Sequence, residues 1–143
     1  MNKEDKELLL RDLCNRLPYN VMCQVEFKED GKYNSKVMLL SGIFTDEAYF
    51  TTKGGSIYSN EFKPYLFPLT SMTSEQLFEV QEIMGKNEIE IEDGFFNIID
   101  SSRNTITYLE ILAVLEWFYK NHFDINGLIE KGLAIDATGK KIY

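Results

Sequence analysis

Apolar residues along this chain recur at helical spacing at first, at strand spacing up to about residue 62, and at helical spacing again in the second half. The first pattern predicts an amphipathic helix over residues 3–17, because its apolar positions share one face. Asn2 is placed to cap this helix, and Pro18 ends it. The residues of the apolar face are Leu9, Leu10, Leu13, Cys14 and Leu17.

Strands are predicted next, over residues 21–27, 36–44, 48–52 and 56–62. In the first of them apolar and polar residues alternate, which is typical of a strand with one buried face. Gly42 indicates a bulge or a sharp bend. Turn signals separate the strands at Asp30-Gly31, Asp46-Glu47 and Gly54-Gly55. Turns at this short, regular spacing are typical of an antiparallel meander or a small, partly closed barrel.

A segment with two prolines follows the strands. Pro64 and Pro68 lack the N–H that a central strand needs, so a connector is predicted here. Thr73 and Gln76 then form a capping-box pattern, which predicts the start of a helix. Gly85 is the stop of that helix.

The rest of the chain predicts one hairpin and two helices. Residues 88–93 alternate acids with isoleucines and are expected to pair with residues 95–100 around Gly94. Residues 105–121 predict a long helix that is apolar nearly all round, which is typical of a helix central in the fold or buried in an oligomer. A last short helix is predicted over residues 124–131.

Together these elements predict an α+β fold in a single domain over residues 1–143. The expected architecture is an antiparallel meander or small, partly closed barrel with an N-terminal helix, a middle helix and a long apolar C-terminal helix. Its strand-rich part covers residues 19–62, its connector residues 63–72, and its helix-rich part residues 73–134.

The charge balance narrows the class of partner. Fifteen basic against 23 acidic residues give a formal net charge of −8. Such a field repels phosphate backbones, so no nucleic-acid partner is expected. We interpret the acidity as a source of solubility; the alternative is an acidic surface that binds a basic protein or mimics DNA.

We expect a reduced, soluble, cytoplasmic protein with no membrane partner. The apolar run at Leu8-Leu9-Leu10 is too short for a signal-peptide core, and no run approaches the roughly twenty apolar residues of a membrane span. Cys14 and Cys23 do not form a disulfide framework and are both predicted to be small core residues.

Motifs for cofactors and metals are missing from the sequence. Gly54-Gly55 lacks the spacing of a P-loop, and no Cys or His pair has zinc spacing. We therefore expect no cofactor and no metal, and assign no catalytic residue. Glu88, Glu90, Glu92 and Asp93 are interpreted as the polar side of a half-solvated sheet; a cation or acid–base site is the alternative.

His122 and Asp124 form the one weak candidate for a polar site. In one hypothesis Asp124 orients His122 as a base acting on Cys14 or Cys23. In the favoured interpretation a partly charged His122 interacts with the C-terminal dipole of the long helix. Asp124 then caps the last short helix.

Aromatic residues supply the candidate interaction surface, which comprises Phe62, Tyr65, Phe67 and Trp117. The first three lie in and beside the proline segment. The favoured interpretation is that they pack over the core where the chain passes from sheet to helix.

Two segments resemble an uncharacterised family of small proteins from gut anaerobic bacteria. FKPYLFPLTSMT, residues 62–73, is similar to its KPYLRPLSSMT motif, and NHFDINGLIEKGLA, residues 121–134, to its HHFDYRGLIEKGLA ending. Residues 7–19 also fit. The family often has Arg where this chain has Phe67, and His where it has Asn121. The resemblance implies a bacterial cytoplasmic protein, often encoded near prophage or mobile elements, without a known catalytic residue.

The function expected from these observations is non-enzymatic. The leading hypothesis is a protein-interaction or accessory module of a bacterial or prophage-encoded system, with a protein partner or a homo-oligomer. One alternative is a small hydrolase or metal-dependent enzyme that uses His122 and Asp124. The other is an acidic inhibitor of the DNA-mimic type.

Overall fold

The computed structural model describes residues 1–44, 47–85, 88–92, 95–99 and 107–143, and it has an α+β fold. Three helices are present in these ranges: α1 (Lys3–Arg16), α2 (Ser74–Ile83) and α3 (Tyr108–Lys120). The strands are β1 (Met22–Glu29), β2 (Lys32–Ile43), β3 (Ala48–Thr52), β4 (Gly55–Ser59), β5 (Phe62–Pro68), β6 (Glu88–Glu92), β7 (Phe95–Ile99), β8 (Phe123–Asp124) and β9 (Ile135–Asp136).

The main sheet begins as the predicted antiparallel meander. Its strand order is β4-β3-β2-β1-β5-β8, and β9 also pairs with β5. Asp30 and Gly31 both have positive φ, of 49° and 78°, which is the geometry of a tight hairpin turn. The register between β2 and β3 shifts between Leu40 and Gly42, so the predicted bulge is confirmed. The sheet is mostly open, and no hydrogen bonding pairs β4 with β5 among the described residues.

The prediction that prolines exclude a central strand was wrong, because β5 lies inside the sheet. It pairs with β1 on one side, and with β8 and β9 on the other. The backbone N–H of Glu26 donates to the Glu61 carbonyl at 2.8 Å. Because hydrogen-bonded pairs alternate along an antiparallel ladder, Pro64 falls at a position that needs no N–H toward β1. The connector therefore shortens to the turn Leu69–Ser71 and the residues beside it.

Helix α1 forms as predicted, but its buried face differs from the predicted one. Asn2 caps it by accepting the Asp5 N–H at 2.7 Å. Cys14 is exposed, which corrects its predicted place in the core, whereas Cys23 is buried. The buried positions of α1 include Asp12 and Arg16. The buried face of α1 therefore includes two charged side chains, although the spacing of the apolar residues predicted a face without them.

The capping box of α2 is confirmed. Thr73 accepts the Gln76 N–H at 3.2 Å, and the Gln76 side chain accepts the Thr73 N–H at 2.9 Å. Gly85 follows the helix with a positive φ of 64°. Helix α3 starts at a second capping box, between Thr107 and Glu110, which the sequence reading overlooked.

Helix α3 has 13 residues and is followed by β8 and β9, so it does not form a long helix at the end of the chain. The last short helix was also a wrong prediction, since residues 125–134 form turns. Gly127 has a positive φ of 68° within the predicted span, which interrupts a helix.

The β6–β7 hairpin forms antiparallel as predicted, with Glu88 opposite Ile99. Asp46, Asp93 and Gly94, which belong to the turn and carboxylate predictions, lie outside the described residues.

Two apolar clusters stabilise the fold. The larger lies between the sheet and α1 and contains Leu13, Cys23 and Phe50. The second lies between α2, α3 and β8 and contains Val80, Phe118 and Phe123. The sheet therefore carries one core under α1, and the helical half carries a separate one.

Candidate functional site

The two most distinctive segments of the sequence meet in the fold. Residues 62–73 supply β5, and residues 121–134 supply β8. The Phe67 N–H donates to the His122 carbonyl at 2.9 Å, and Phe67 lies opposite Phe123 in a parallel pair. Strand pairing therefore gives residues in both segments a structural role.

His122 lies at the end of α3, as expected, and its side chain is half-buried. Its φ is +60°, and its ring stacks on Tyr143 with centroids 3.8 Å apart and planes 11° apart. Burial, and secondarily the Arg16 charge, lower the pKa of His122 to about 4. The lowered pKa disfavours the charged imidazole that the expected interaction with the helix dipole requires.

Asp124 closes the turn that follows β8. Its two carboxylate oxygens accept the backbone N–H groups of Leu128 at 2.9 Å and Ile129 at 2.8 Å. The expected helix cap is thus a turn cap. Among the described residues no hydrogen bond joins Asp124 to His122, whose buried Nδ1 has no partner there. The two residues have separate structural roles.

Cys14 and Cys23 were the possible nucleophiles in the hypothesis that makes His122 a base. Cys23 is fully buried in the sheet core, and burial raises the pKa of its thiol. A buried, protonated thiol is a poor nucleophile. Cys14 is exposed on α1. Among the described residues, no hydrogen bond links either cysteine to His122.

An open cavity of about 390 Å³ lies beside His122. Lys120, Thr73, Gln76 and Tyr143 are among its lining residues. Among the residues that the structure describes, the lining includes no Asp, Glu or Cys side chain that could pair with His122 as the hydrolase hypothesis requires.

A buried ion pair on α1 was missed by the sequence reading. The Arg16 Nε donates to Asp12 Oδ2 at 2.5 Å, and both side chains are fully buried. Arg16 also donates to the Phe123 carbonyl at 2.7 Å and lies over the Tyr119 ring at 4.9 Å. Asn126 donates to Asp12 at 2.7 Å. The sequence did contain a sign of this pair, because Asp12 and Arg16 are spaced i,i+4 and share a helix face with Leu9 and Leu13.

The aromatic candidates near the sheet pack within the protein. Tyr65 is 6% exposed, and its hydroxyl donates to Gln24 at 2.5 Å. Phe62 packs on Phe50 with ring centroids 5.0 Å apart. Phe67 packs on Phe123 at 6.1 Å. These contacts agree with the interpretation that the segment covers the core.

Trp117 also makes internal contacts. Its ring stacks on Phe123 with centroids 5.7 Å apart and planes 9° apart, and its Nε1 donates to Glu79 at 3.0 Å. It therefore links α3 to α2 and β8, and its indole N–H is already satisfied. The exposed apolar surface of α3 lies at other positions.

One side of α3 presents large apolar side chains to solvent. We name this set the α3 stripe; its members are Tyr108, Leu109, Ile111, Leu112 and Leu115. In that order they are 73, 75, 42, 43 and 37% exposed. By contrast, Val114 and Phe118, which border the stripe beside Ile111, are buried. Isolated exposed apolar residues are ordinary, whereas contiguous groups of this size are typical of interaction surfaces.

Comparison with protein-family models, curated proteins and solved structures finds no match to this chain. Within the described ranges, no three His, Cys, Asp or Glu side chains are grouped so that they could bind a metal. None of the helices described combines the length and the apolar character that crossing a bilayer requires.

Proposed function

We propose that this protein is a non-enzymatic interaction or accessory module of a bacterial or prophage-encoded system, and that it acts in the cytoplasm through the α3 stripe. The observation that carries the proposal is the exposure of five large apolar side chains on one helix. The similarity of residues 62–73 and 121–134 to a bacterial family associated with mobile elements supports the genetic setting.

The helix that presents the stripe is firmly anchored at both ends. At its start Thr107 accepts the Glu110 N–H at 3.2 Å, and Glu110 accepts the Thr107 N–H at 2.6 Å. At its end Asn121 donates to the Trp117 carbonyl at 2.9 Å. A rigid helix loses little conformational entropy on binding, so more of the apolar contact contributes to affinity.

Burial of the stripe supplies the driving force. Removing apolar surface from water contributes roughly 25 cal/mol per Å², so covering a patch of several hundred Å² is favourable by several kcal/mol before the cost of association. A protein partner with a complementary apolar face fits this surface. Nothing in this interaction requires His122 or Asp124 to act chemically.

Site-specific photo-crosslinking in the native host tests the proposal. A photoreactive amino acid at position 112 is expected to form a discrete protein adduct. The same group at position 113, where Ala113 is exposed on the same helix outside the stripe, serves as the matched control. Absence of any protein adduct from position 112, or equal adducts from both positions, would contradict the proposal.

A further inference from the structure

We infer that the partner of the α3 stripe is a second copy of this chain, bound as an antiparallel helix pair about a two-fold axis. This inference rests on the proposed function and names its partner. Three properties of the stripe support it: its spacing, its size and its lack of charge.

The spacing suits a self-complementary contact. Tyr108, Ile111, Leu112 and Leu115 follow one another at i, i+3, i+4 and i+7, which is the seam of a packed helix pair. A two-fold axis through the centre of this seam sets Tyr108 of one protomer against Leu115 of the other. It sets Ile111 against Leu112 in the same way. Each large side chain then meets another, as an isologous interface requires.

The size of the stripe is what a small dimer interface needs. Five side chains at these exposures present on the order of 500 Å² of apolar surface, within the range of functional patches on monomers. Two such faces together bury roughly 1,000 Å², which is the lower bound for a specific protein–protein interface. The stripe therefore supports a weak, concentration-dependent dimer.

The lack of charge lets two acidic chains approach at this place. Each chain carries a formal net charge of −8, yet the α3 stripe has no charged member. Two acids on α3 flank the seam: Glu110 accepts the Thr107 N–H, and Glu116, exposed one turn beyond Leu112, accepts the Tyr19 hydroxyl at 3.1 Å. Added salt screens the repulsion between the two acidic chains and leaves the apolar contact in place. We therefore expect added salt to strengthen the dimer.

Sedimentation equilibrium of the full chain, from low micromolar to several hundred micromolar, tests the inference. The wild type is expected to show a monomer–dimer equilibrium that shifts several-fold toward dimer when NaCl rises from about 20 to about 300 mM. Leu112→Glu is expected to weaken association by about 100-fold or more, because it places a charge at the centre of the seam. Ala113→Glu adds the same charge to the same helix and is expected to leave dimerisation unchanged.

A mixing experiment identifies the second copy directly. Leu112→Lys and Leu112→Glu proteins are each expected to be monomeric alone, whereas an equimolar mixture at low salt recovers a dimer. Circular dichroism confirms that each variant is folded. A wild type that stays monomeric at every concentration and salt overturns the inference, as does a dimer that Leu112→Glu leaves intact.

The two proposals fail in different ways. If the wild type is monomeric but position 112 crosslinks to another host protein, the second copy is excluded and the interaction module stands. If the chain neither dimerises nor crosslinks, the proposed function fails as well.

Discussion

Helices α1 and α3 distribute polarity in opposite ways. Helix α1 buries the Asp12–Arg16 ion pair completely, whereas α3 leaves five large apolar side chains in solvent. Both arrangements depart from the usual rule that charges lie outside and apolar residues inside. Which face of a helix is buried therefore depends on the partners that the rest of the fold supplies.

On α1 those partners come from distant parts of the chain. The Phe123 carbonyl accepts from Arg16, and Asn126 donates to Asp12. Together with the direct ion pair, these bonds offset part of the cost of removing two charges from water, although the buried Arg16 Nη1 has no hydrogen-bond partner among the described residues. On α3 the described neighbours cover Val114 and Phe118 and leave the stripe exposed.

The largest expected effect comes from breaking the buried pair. Arg16→Ala leaves the Asp12 carboxylate buried without its cation and is expected to lower the free energy of unfolding by about 3–5 kcal/mol. Urea denaturation measures this. Lys3→Ala, which breaks the exposed Lys3–Glu7 pair of the same helix (3.7 Å), is the control and should cost less than about 1 kcal/mol. Similar losses for both variants would remove the contrast between the two helices.

Truncating a buried side chain of α3 is expected to lower the free energy of unfolding more than truncating an exposed one. Val114→Ala removes a buried side chain and should lower the free energy of unfolding by about 1.5–3 kcal/mol. Leu112→Ala should change it by no more than about 0.5 kcal/mol at protein concentrations where the chain is monomeric. Urea denaturation of dilute samples compares them. A large loss for Leu112→Ala would show that the stripe is covered within the monomer.

A smaller effect concerns pH at the junction beside Arg16. The pKa of His122 is lowered to about 4, so between pH 7 and pH 5 the unfolded chain takes up a proton that the folded chain does not. Stability therefore falls as the pH decreases through this window, by about 1 kcal/mol after allowance for the partly exposed ring. His122→Asn, which tolerates the positive φ, should remove this part of the loss. Denaturation of both proteins at the two pH values is the measurement, and an equal loss would exclude the role of His122.

The smallest expected effect is local to the start of α3. Hydrogen bonds from Thr107 lower the pKa of Glu110. Thr107→Ala removes the side-chain bond of the capping box and should raise that pKa toward its usual value, as followed by NMR titration. Thr73→Ala makes the same change in the capping box of α2 and should leave the Glu110 pKa unaltered. Because Thr107→Ala keeps the backbone N–H that is the larger cause of the lowered pKa, the expected rise is partial, and an unchanged Glu110 pKa would contradict a contribution from the Thr107 side chain.

Much of the fold could be predicted where the signal is local. The cap at Asn2, the capping box at Thr73, the turn at Asp30-Gly31 and the bulge at Gly42 all depend on residues within a few positions of each other. Such patterns carry their own geometry, since the side chain or the permitted φ specifies the structure directly.

The candidate site was harder to predict, because its residues act through distant neighbours. Asp124 was expected to cap a helix and instead closes a turn, through the N–H groups of Leu128 and Ile129. Tyr65 was a candidate for an interaction surface and is buried under long-range contacts. Because apolar residues lie nearly all round α3, its sequence does not indicate which of them remain exposed.

The sequence by itself determined the α+β class, the meander, the starts of α1 and α2 and the net charge of −8. Only the tertiary structure decided that β5 enters the sheet despite its prolines, that α1 buries an ion pair, and that α3 exposes a stripe. The reason is physical. Local elements follow from hydrogen bonds and dihedral limits within a few residues, whereas burial depends on contacts such as Arg16 with Phe123, between residues more than a hundred positions apart.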